Sequence, residues 1–309
     1  MLILERVSLK KFTTFKIGGE AKFFTIVNNL KELEQIINFL ENNKIKFFIL
    51  GGGSNILFSD KGFDGLIIKP KFETFNFLEN GEVIIGSSRL MPEIVYEACR
   101  LGYQGLEWAG GLPGELGGAI RGNAGCFGSE IKDIIKEVLS VNLLNKEIRI
   151  FKKEECQFSY RSSFFKFNKE WLIIEAKINL KTNNESNILL KIMNEKIEYR
   201  KNRHPVEFPN AGSIFKNIPI DSASPDLIEI AKKKNVIKGD KIPTAFIIEY
   251  LGLKGKEIGG AKISEKHANY IINFNNASSQ DVLDLIDLVK DEVQKKFNLK
   301  LIEEIEIVN

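Results

Sequence analysis

Residues 105–128 read GLEWAGGLPGELGGAIRGNAGCFG and contain nine of the chain's 25 glycines. Only three residues in this stretch are charged: Glu107, Glu115 and Arg121. A flexible linker would combine glycine with serine, glutamine and charge, whereas here the companions are leucine, tryptophan, alanine and isoleucine. Because glycine tolerates positive φ and lets main chain lie directly against another surface, the stretch predicts ordered backbone folded tightly around a flat or anionic group.

A second glycine cluster, GGGSN at residues 51–55, follows a mostly apolar run at residues 45–50. Taken alone, this cluster is more typical of a turn. A loop of this kind can also form a nest of consecutive backbone N–H groups that binds a pyrophosphate, with Ser54 and Asn55 adding side-chain donors. The GxGxxG and GxxxxGKS/T patterns are absent, so neither a Rossmann site nor a P-loop is supported. Together, the two clusters indicate a large phosphate-bearing cofactor.

The composition is that of an ordinary globular protein, with 43% hydrophobic and 28% charged residues among 309. A net charge of +3 gives no electrostatic reason to expect nucleic-acid binding. Cys99, Cys126 and Cys156 show no CxxC spacing and fit a reducing compartment. No apolar stretch approaches the ~18 residues of a membrane span, and the N-terminus lacks the apolar core of a signal peptide. We therefore expect a cytoplasmic protein with no membrane partner, and the absence of HExxH or a Cys/His cluster predicts no metal site.

Hydrophobic periodicity predicts mixed helices and strands, with a cofactor-binding part before about Arg200 and a smaller α+β domain after it. A helix is expected at residues 30–43, capped by Asn28 or Asn29, and a helix around residues 189–197 is expected to end near Pro205. Ser279 is expected to cap the last helix, which is followed by a strand at residues 299–308. Further predicted elements are strands at residues 46–50, 65–69, 82–86, 138–144, 148–151 and 171–180, and a helix at residues 93–100.

Six segments match one protein family in content and in order. They are TTFKIGG (residues 13–19), ILGGGSN (49–55), GLEWAGGLPGELGGAIRGNAG (105–125), YRSSFFK (160–166), NAGSIFKN (210–217) and GGAKISEKHANYIIN (259–273). Over nearly its whole length the chain resembles the UDP-N-acetylenolpyruvoylglucosamine reductases, flavoenzymes that complete UDP-N-acetylmuramate in bacterial cell-wall synthesis. It is similar to the shorter type, without the extra tyrosine-bearing loop of other members.

The resemblance implies the two-subdomain FAD-binding fold of the vanillyl-alcohol-oxidase type, followed by a C-terminal α+β substrate domain. We expect the first FAD-binding subdomain at residues 1–70, the second at residues 71–200 and the substrate domain at residues 201–309.

The resemblance also implies FAD as the cofactor and NADPH as the hydride donor. The histidines, His204 and His267, lie outside the glycine loops, so we expect noncovalent FAD and a structural role for His267. The residues expected to hold the pyrophosphate are Gly51, Gly52, Gly53, Ser54 and Asn55. Those expected to line the flavin and its ribityl chain are Leu112, Gly114, Gly117, Gly118, Ala119, Gly122 and Asn123.

The implied reaction passes a hydride from NADPH to FAD, and then from flavin N5 to UDP-N-acetylglucosamine enolpyruvate. By the family match, Arg161 would stabilise the charge that develops on the enolpyruvyl group, because a guanidinium binds a carboxylate through two parallel hydrogen bonds. Ser213 would donate the proton, and Glu304 would help to stabilise the intermediate, with the neighbouring Glu303 as an alternative acid. Without the family match, Arg161 would be interpreted as a surface arginine and Ser213 as a turn residue.

Four further residues are candidate substrate contacts: Tyr160, Arg200, Lys216 and Asn217. A core position for the tyrosine and solvated positions for Arg200 and Lys216 are the ordinary alternatives. Two other functions stay open, a flavin oxidase of the same fold and a catalytically idle module that binds flavin or a UDP-sugar. The three catalytic candidates argue against both.

Overall fold

The computed structural model describes residues 2–182 and 185–309 of the chain. Its contacts divide the chain into two compact units. Unit 1 contains Met1–Val7, Ala21–Gly52 and Asp64–Arg200, and unit 2 contains Ser8–Glu20, Gly53–Phe63 and Lys201–Asn309. Unit 2 thus combines two N-terminal segments with the C-terminal part of the chain. The three predicted domains, with bounds at residues 70 and 200, stay a prediction.

The strands, numbered in chain order, are β1 Leu4–Ser8, β2 Glu20–Val27, β3 Phe47–Ile49, β4 Ile56–Phe58, β5 Phe63–Pro70, β6 Phe75–Phe77, β7 Glu82–Gly86, β8 Tyr103–Gln104, β9 Gly125–Cys126, β10 Ser129–Glu130, β11 Ile135–Asn142, β12 Ile148–Lys152, β13 Trp171–Asn179, β14 Lys181–Thr182, β15 Ile218–Pro219, β16 Lys241–Ile242, β17 Glu257–Ile258, β18 Ala261–Ile263, β19 Ile271–Asn273 and β20 Glu306–Val308. The α-helices are α1 Leu30–Asn43, α2 Met91–Arg100, α3 Leu116–Arg121, α4 Phe164–Phe167, α5 Ser186–Arg203, α6 Pro225–Lys233, α7 Thr244–Tyr250 and α8 Ser279–Phe297. Over the described ranges, no helix combines the length and the apolar character that crossing a membrane requires.

The first sheet of unit 1 has the strand order β1-β2-β5-β3, with β3 parallel to β5. The predicted helix at residues 30–43 is confirmed as α1, and its cap is Asn29, whose side chain accepts a hydrogen bond from the Glu32 N–H. The apolar face of α1 is buried in one core with Leu66 and Ile68 of β5, which fixes this helix on the sheet.

The second sheet of unit 1 has the order β12-β11-β13-β7-β6, with antiparallel neighbours. Side chains alternate between the faces of a strand. Leu172 and Ile174 of β13 therefore lie in the core that α1 also enters, while Trp171 and Ile173 lie in a second core with α2 and α3. Burial on both faces explains why β13 is continuously apolar at this point.

Unit 2 has its own core, formed by α6, α7, α8 and the sheet β17-β18-β19. Phe15, Ile17 and Leu57 are buried in this core, and β4 pairs in parallel with β20 near the C-terminus. Hydrophobic burial therefore explains why the two early segments belong to unit 2, a long-range association that local sequence patterns do not reveal.

Several predicted bounds differ from the observed ones by one to three residues, as for the strand predicted at residues 138–144, which is β11 Ile135–Asn142. The predictions for the last helix and the last strand are wrong for reasons that the structure shows. The cap of α8 is Ser278, which forms a capping box with Asp281, and Ser279 is the first helical residue. The final strand covers only Glu306–Val308, because the preceding chain pairs elsewhere: the Glu304 N–H donates to the Ile214 carbonyl at 2.7 Å.

Candidate functional site

Unit 1 contains a cavity of about 90 Å³ where β3, β13 and α3 meet. A single water needs only ~10–15 Å³ on the same measure, so this space has room for several waters. Its walls are largely aromatic and aliphatic, with a smaller polar part. The apolar lining residues are Phe47, Phe48, Ile49, Pro70, Phe165, Trp171 and Ile173; the others are Gly51, Ser87, Glu115, Gly117, Gly118, Arg121 and Lys169.

The two glycine clusters meet at this cavity. A Cβ on Gly52 would lie 2.8 Å from the Gly114 Cα and 3.0 Å from the Glu115 amide nitrogen, closer than any side chain permits. Gly114 itself has φ +95°, in the region that favours glycine. Main chain therefore packs directly on main chain here, as the glycine content predicted.

Helix α3 presents its first turn to the cavity. The Gly117 N–H donates to the Ser87 carbonyl at 2.8 Å, and a Cβ on Gly117 would stand 3.0 Å from the Ser87 Cβ. A Cβ on Gly118, by contrast, would meet nothing within 4 Å, which places open space beside this residue.

Ser87 provides an unpaired polar group at the cavity wall. The residue is only 4% exposed, and its hydroxyl has no hydrogen-bond partner in the part of the chain that the structure describes. Buried hydroxyls in folded proteins are nearly always paired. The unpaired hydroxyl, the open space at Gly118 and the aromatic walls together fit a large ligand with a flat ring and polar groups.

Lys69 and Glu115 form a partly buried ion pair at the same cavity. The Lys69 ammonium donates to Glu115 Oε1 at 2.9 Å and to the Gly51 carbonyl at 3.1 Å. Burial raises the pKa of Glu115, and the neighbouring Lys69 opposes this rise. Sequence reasoning missed Lys69, Ser87 and the aromatic wall. The only local signal of Lys69 and Ser87 is their position at the end of a predicted strand or just after it.

Asn123 supports the glycine-rich loop with its side chain. It is fully buried with φ +42°, and its amide donates to Glu130 at 3.0 Å and to the Ser159 carbonyl at 2.9 Å. Its side-chain oxygen accepts from the Lys132 N–H at 3.1 Å. The side chain therefore holds the loop together, and a contact of Asn123 with flavin through its backbone stays a prediction. Ala119 is buried in α3, Gly122 follows that helix, and Leu112 packs at the edge of the same core.

Two arginines predicted as site residues, Arg161 and Arg200, bind the glycine-rich loop from other parts of the chain. Arg161 Nη2 donates to the Gly125 carbonyl at 2.8 Å, and its guanidinium lies 5.2 Å from the ring centroid of the half-buried Tyr160. Arg200 donates to the Gly110 carbonyl at 3.0 Å and to Cys126 Sγ at 2.9 Å. Burial raises the pKa of the Cys126 thiol against the opposing charge of Arg200. Arg200 therefore fixes the loop in this structure, and its contact with substrate stays a prediction.

Ser213 and Glu304 come together in unit 2. Gly212, with φ +79° and its N–H bonded to Asn210 Oδ1 at 2.9 Å, makes the turn before Ser213. The next residue, Ile214, accepts from the Glu304 N–H, so the two predicted catalytic residues lie on paired segments. Asn55 Nδ2 donates to the Glu304 carbonyl at 3.0 Å, so the last residue of the GGGSN cluster is bonded to the same segment.

Glu303 attaches the C-terminal segment to α8. Its carboxylate forms an ion pair with Lys290 of that helix. The choice of Glu304 as the catalytic acid, with Glu303 as the alternative, stays a prediction.

The other predicted residues of unit 2 lie near the same segment. Thr244, the first residue of α7, donates its N–H to Asn217 Oδ1 at 3.2 Å and its hydroxyl to the Lys216 carbonyl at 2.6 Å. Sequence reasoning missed Asn269, which accepts from the Phe215 N–H at 3.0 Å and donates to the Phe215 carbonyl at 2.8 Å. Asn269 therefore holds the segment that carries Ser213.

His267 packs against two other rings in unit 2. Its ring centroid lies 4.8 Å from that of Tyr270 and 5.2 Å from that of His204. Burial lowers the pKa of His267 to about 4, helped by Lys238 and Lys254. A neutral imidazole packed between rings agrees with the expected structural role. Across residues 2–182 and 185–309, no group of His, Cys, Asp and Glu side chains is arranged to hold a metal ion.

Comparison with known proteins finds two family models on this chain. "UDP-N-acetylenolpyruvoylglucosamine reductase, C-terminal domain" matches residues 204–308, and "FAD binding domain" matches residues 21–150. A UDP-N-acetylenolpyruvoylglucosamine reductase of Carboxydothermus hydrogenoformans is 40% identical over 99% of this chain and 94% of its own. One from Caldanaerobacter subterraneus is 38% identical over 97% of this chain and 91% of its own.

Among solved structures, the chain is similar to UDP-N-acetylenolpyruvylglucosamine reductase from Thermus caldophilus. The TM-score is 0.78 at 28% identity, and the match covers 100% of both chains. The predicted α+β fold, with an FAD-binding part followed by a separate C-terminal domain, is confirmed by these matches.

Proposed function

The chain belongs to the UDP-N-acetylenolpyruvoylglucosamine reductase family, and from this premise we propose how its residues bind FAD and act on the substrate. It is an FAD-dependent oxidoreductase that uses NADPH to reduce UDP-N-acetylglucosamine enolpyruvate to UDP-N-acetylmuramate, a step of peptidoglycan precursor synthesis. We infer that it acts in the cytoplasm, where both nucleotide substrates are found.

The cavity of unit 1 takes the adenosine diphosphate half of FAD in this proposal. When bound, FAD accepts a hydride from NADPH and delivers it to the enolpyruvyl group of the substrate. The aromatic wall suits the adenine ring, and Gly51 and Gly52 offer backbone close to its phosphates. Gly118, predicted to line the flavin and its ribityl chain, lines the same cavity. Arg121 and Lys169 add positive charge at the same cavity. The unpaired, buried Ser87 hydroxyl is the observation that carries this assignment.

Arg161 binds the carboxylate of the enolpyruvyl group in this proposal. A guanidinium is planar and permanently charged, so it can hold a carboxylate through parallel hydrogen bonds and stabilise charge that spreads into it. Its contact with the Gly125 carbonyl fixes it on the loop that also carries the predicted flavin residues.

Ser213 donates a proton to the carbanion formed when hydride reaches the neighbouring carbon. A serine hydroxyl is a weak acid, so it acts only on a strongly basic carbon and only when it is positioned. The Gly212 turn and the pairing of Ile214 with Glu304 supply that positioning. Glu304 stabilises the intermediate, while Tyr160, Lys216 and Asn217 contact the rest of the substrate.

Anaerobic half-reactions test this function. NADPH should bleach the oxidised flavin absorbance of the purified protein, and UDP-N-acetylglucosamine enolpyruvate should then restore it. Ser213→Ala should leave the NADPH step unchanged and slow the restoration by about 10²- to 10⁴-fold, the range for loss of a general acid. Ser222→Ala is the matched control, since this serine is exposed in the same unit.

Two outcomes would contradict the proposal. A protein that takes up no FAD would remove the assigned cofactor site. Unchanged restoration in Ser213→Ala would remove the serine as the proton donor while leaving the family and its activity in place.

A further inference from the structure

The Lys69–Glu115 pair raises a question of charge in the cofactor cavity. Glu115 lines the cavity, its side chain is 10% exposed, and one of its oxygens lies 3.6 Å from the point that a Cβ on Gly51 would occupy. A carboxylate beside the loop assigned to the pyrophosphate would repel that dianion, because Coulomb interactions are strong where water is excluded.

Lys69 contacts both the Glu115 carboxylate and the Gly51 loop, the two groups between which a bound pyrophosphate would be repelled or held. Its ammonium donates to Glu115 Oε1 at 2.9 Å, and so neutralises the carboxylate within the cavity wall. Burial acts on Glu115 in the direction expected for a carboxylate removed from water, and Lys69 acts in the opposite direction. Lys69 therefore cancels the negative charge of Glu115, which alone would repel a phosphate ligand.

The second contact of Lys69 sets the orientation of the glycine loop. Its ammonium also donates to the Gly51 carbonyl at 3.1 Å. In a planar trans peptide the carbonyl and the following N–H point in opposite directions. Fixing the Gly51 carbonyl toward Lys69 therefore directs the Gly52 N–H away from Lys69 and removes a rotation that glycine would otherwise allow.

We propose that Lys69 is a positioning residue for FAD, which neutralises Glu115 and fixes the Gly51–Gly52 peptide so that the cavity accepts a pyrophosphate. This inference rests on the proposed placement of the FAD pyrophosphate at the Gly51 loop. Lys69 needs no contact with FAD for this role, since it acts through Glu115 and the loop carbonyl.

A double-mutant cycle on FAD binding separates this role from a merely structural one. Apoprotein is prepared by removing FAD, and the dissociation constant is measured by flavin fluorescence titration for Lys69→Met, Glu115→Gln and the double variant. Lys22→Met is the matched control, because Lys22 pairs with Asp64 between strands of the same sheet but in a solvent-exposed setting, with side chains 54% and 85% exposed.

Loss of one partner from a buried charge pair is costly. Lys69→Met should therefore weaken FAD binding by about 30-fold or more, while Glu115→Gln should bind FAD as tightly as the parent protein or more tightly. The double variant should recover only the part of the affinity that was lost to the unpaired carboxylate, and the loss that remains measures the contact of Lys69 with the Gly51 carbonyl. Full recovery would overturn the role of Lys69 in fixing the peptide. Lys22→Met should leave the dissociation constant unchanged. Melting temperatures of all apoproteins check that each variant folds.

An unchanged dissociation constant in folded Lys69→Met would overturn the inference. An equal loss of affinity from Lys69→Met in the parent and Glu115→Gln backgrounds would overturn neutralisation. If Lys69→Met does not fold, the FAD dissociation constant of Glu115→Gln tests the proposal by itself. Weaker FAD binding in this variant would make Glu115 a direct FAD contact and refute the proposal. Gly118→Phe tests the proposed FAD site separately from the role of Lys69, because its ring would enter the cavity. If this variant binds FAD as tightly as the parent protein, the proposed cofactor site itself is wrong.

Discussion

The Gly114 Cα lies 2.8 Å from the position that a Cβ on Gly52 would occupy. This contact joins two glycine clusters that are distant in sequence, and any side chain at residue 52 would separate them. Glycine is required there for close approach, which is the condition under which loop N–H groups can reach a phosphate.

Gly52→Ala should therefore destabilise the protein and weaken FAD binding together. Overpacking of this kind typically costs about 1–3 kcal/mol, so the free energy of unfolding of the apoprotein should fall by that amount. Denaturant unfolding and FAD titration measure the two effects. A variant as stable as the parent protein would contradict the reported contact.

Gly118→Ala should weaken FAD binding without lowering the stability of the protein. Glycine within a helix is less favourable than alanine by about 1 kcal/mol, and a Cβ at this position meets nothing within 4 Å, so stability should not fall. Its methyl group enters the cavity, so FAD affinity should fall. Unchanged affinity at equal or higher stability would move the cofactor away from this helix.

Sequence patterns predicted those helices and strands that are determined by neighbouring residues in the chain. The helix at residues 30–43 has a capping Asn29 and a periodic apolar face, and both act within a few residues. The strand at residues 82–86 is likewise observed with the predicted bounds. Where two neighbouring serines could both serve as caps, the sequence does not distinguish Ser278 from Ser279, because the choice depends on which hydroxyl reaches the N–H of Asp281.

Local sequence patterns predicted the cofactor cavity only where glycine marks it. Both glycine clusters could be identified because close backbone approach demands that residue type. Lys69 and Ser87 could not, since each is an ordinary residue at the end of a strand until long-range folding brings it to α3. The association of Phe15 and Ile17 with unit 2 was hidden for the same reason, because apolar residues indicate burial but not the core that receives them.

Arg161→Lys should slow the oxidative half-reaction. Lysine keeps the positive charge but lacks the planar pair of donors, so restoration of oxidised flavin by substrate should slow by about 100-fold. Stopped-flow absorbance measures this rate and the NADPH rate separately. Arg149→Lys is the control, since Arg149 stacks over Phe151 and pairs with Glu155 at the surface. An equal slowing of both half-reactions by Arg161→Lys would indicate damage to the glycine-rich loop instead of loss of a substrate contact.

Glu304→Gln should affect kcat, whereas Glu303→Gln should affect the free energy of unfolding. Glu304→Gln should lower kcat strongly with little change in stability. Glu303→Gln breaks the partly exposed pair with Lys290, so it should lower the free energy of unfolding by at most about 1 kcal/mol and leave kcat unchanged. Steady-state kinetics and denaturant unfolding of both variants test this, and a large kcat loss in Glu303→Gln would reverse the assignment of the acid.

His267 should make the protein less stable as the pH falls below 6.5. Above that pH both folded and unfolded states hold neutral imidazole, so His267 contributes no pH dependence. Between 6.5 and about 4, the unfolded chain binds a proton that the folded state, with its lowered pKa, resists, so unfolding is favoured as acid is added. At about 1.4 kcal/mol per pH unit over the window from 6.5 to about 4, the loss is on the order of 3 kcal/mol. Denaturant unfolding from pH 4.5 to 7 measures it, and His267→Gln should flatten the profile by that amount because glutamine does not titrate. Identical pH profiles for the parent protein and His267→Gln would mean that the imidazole takes up its proton as readily in the folded state as in the unfolded chain.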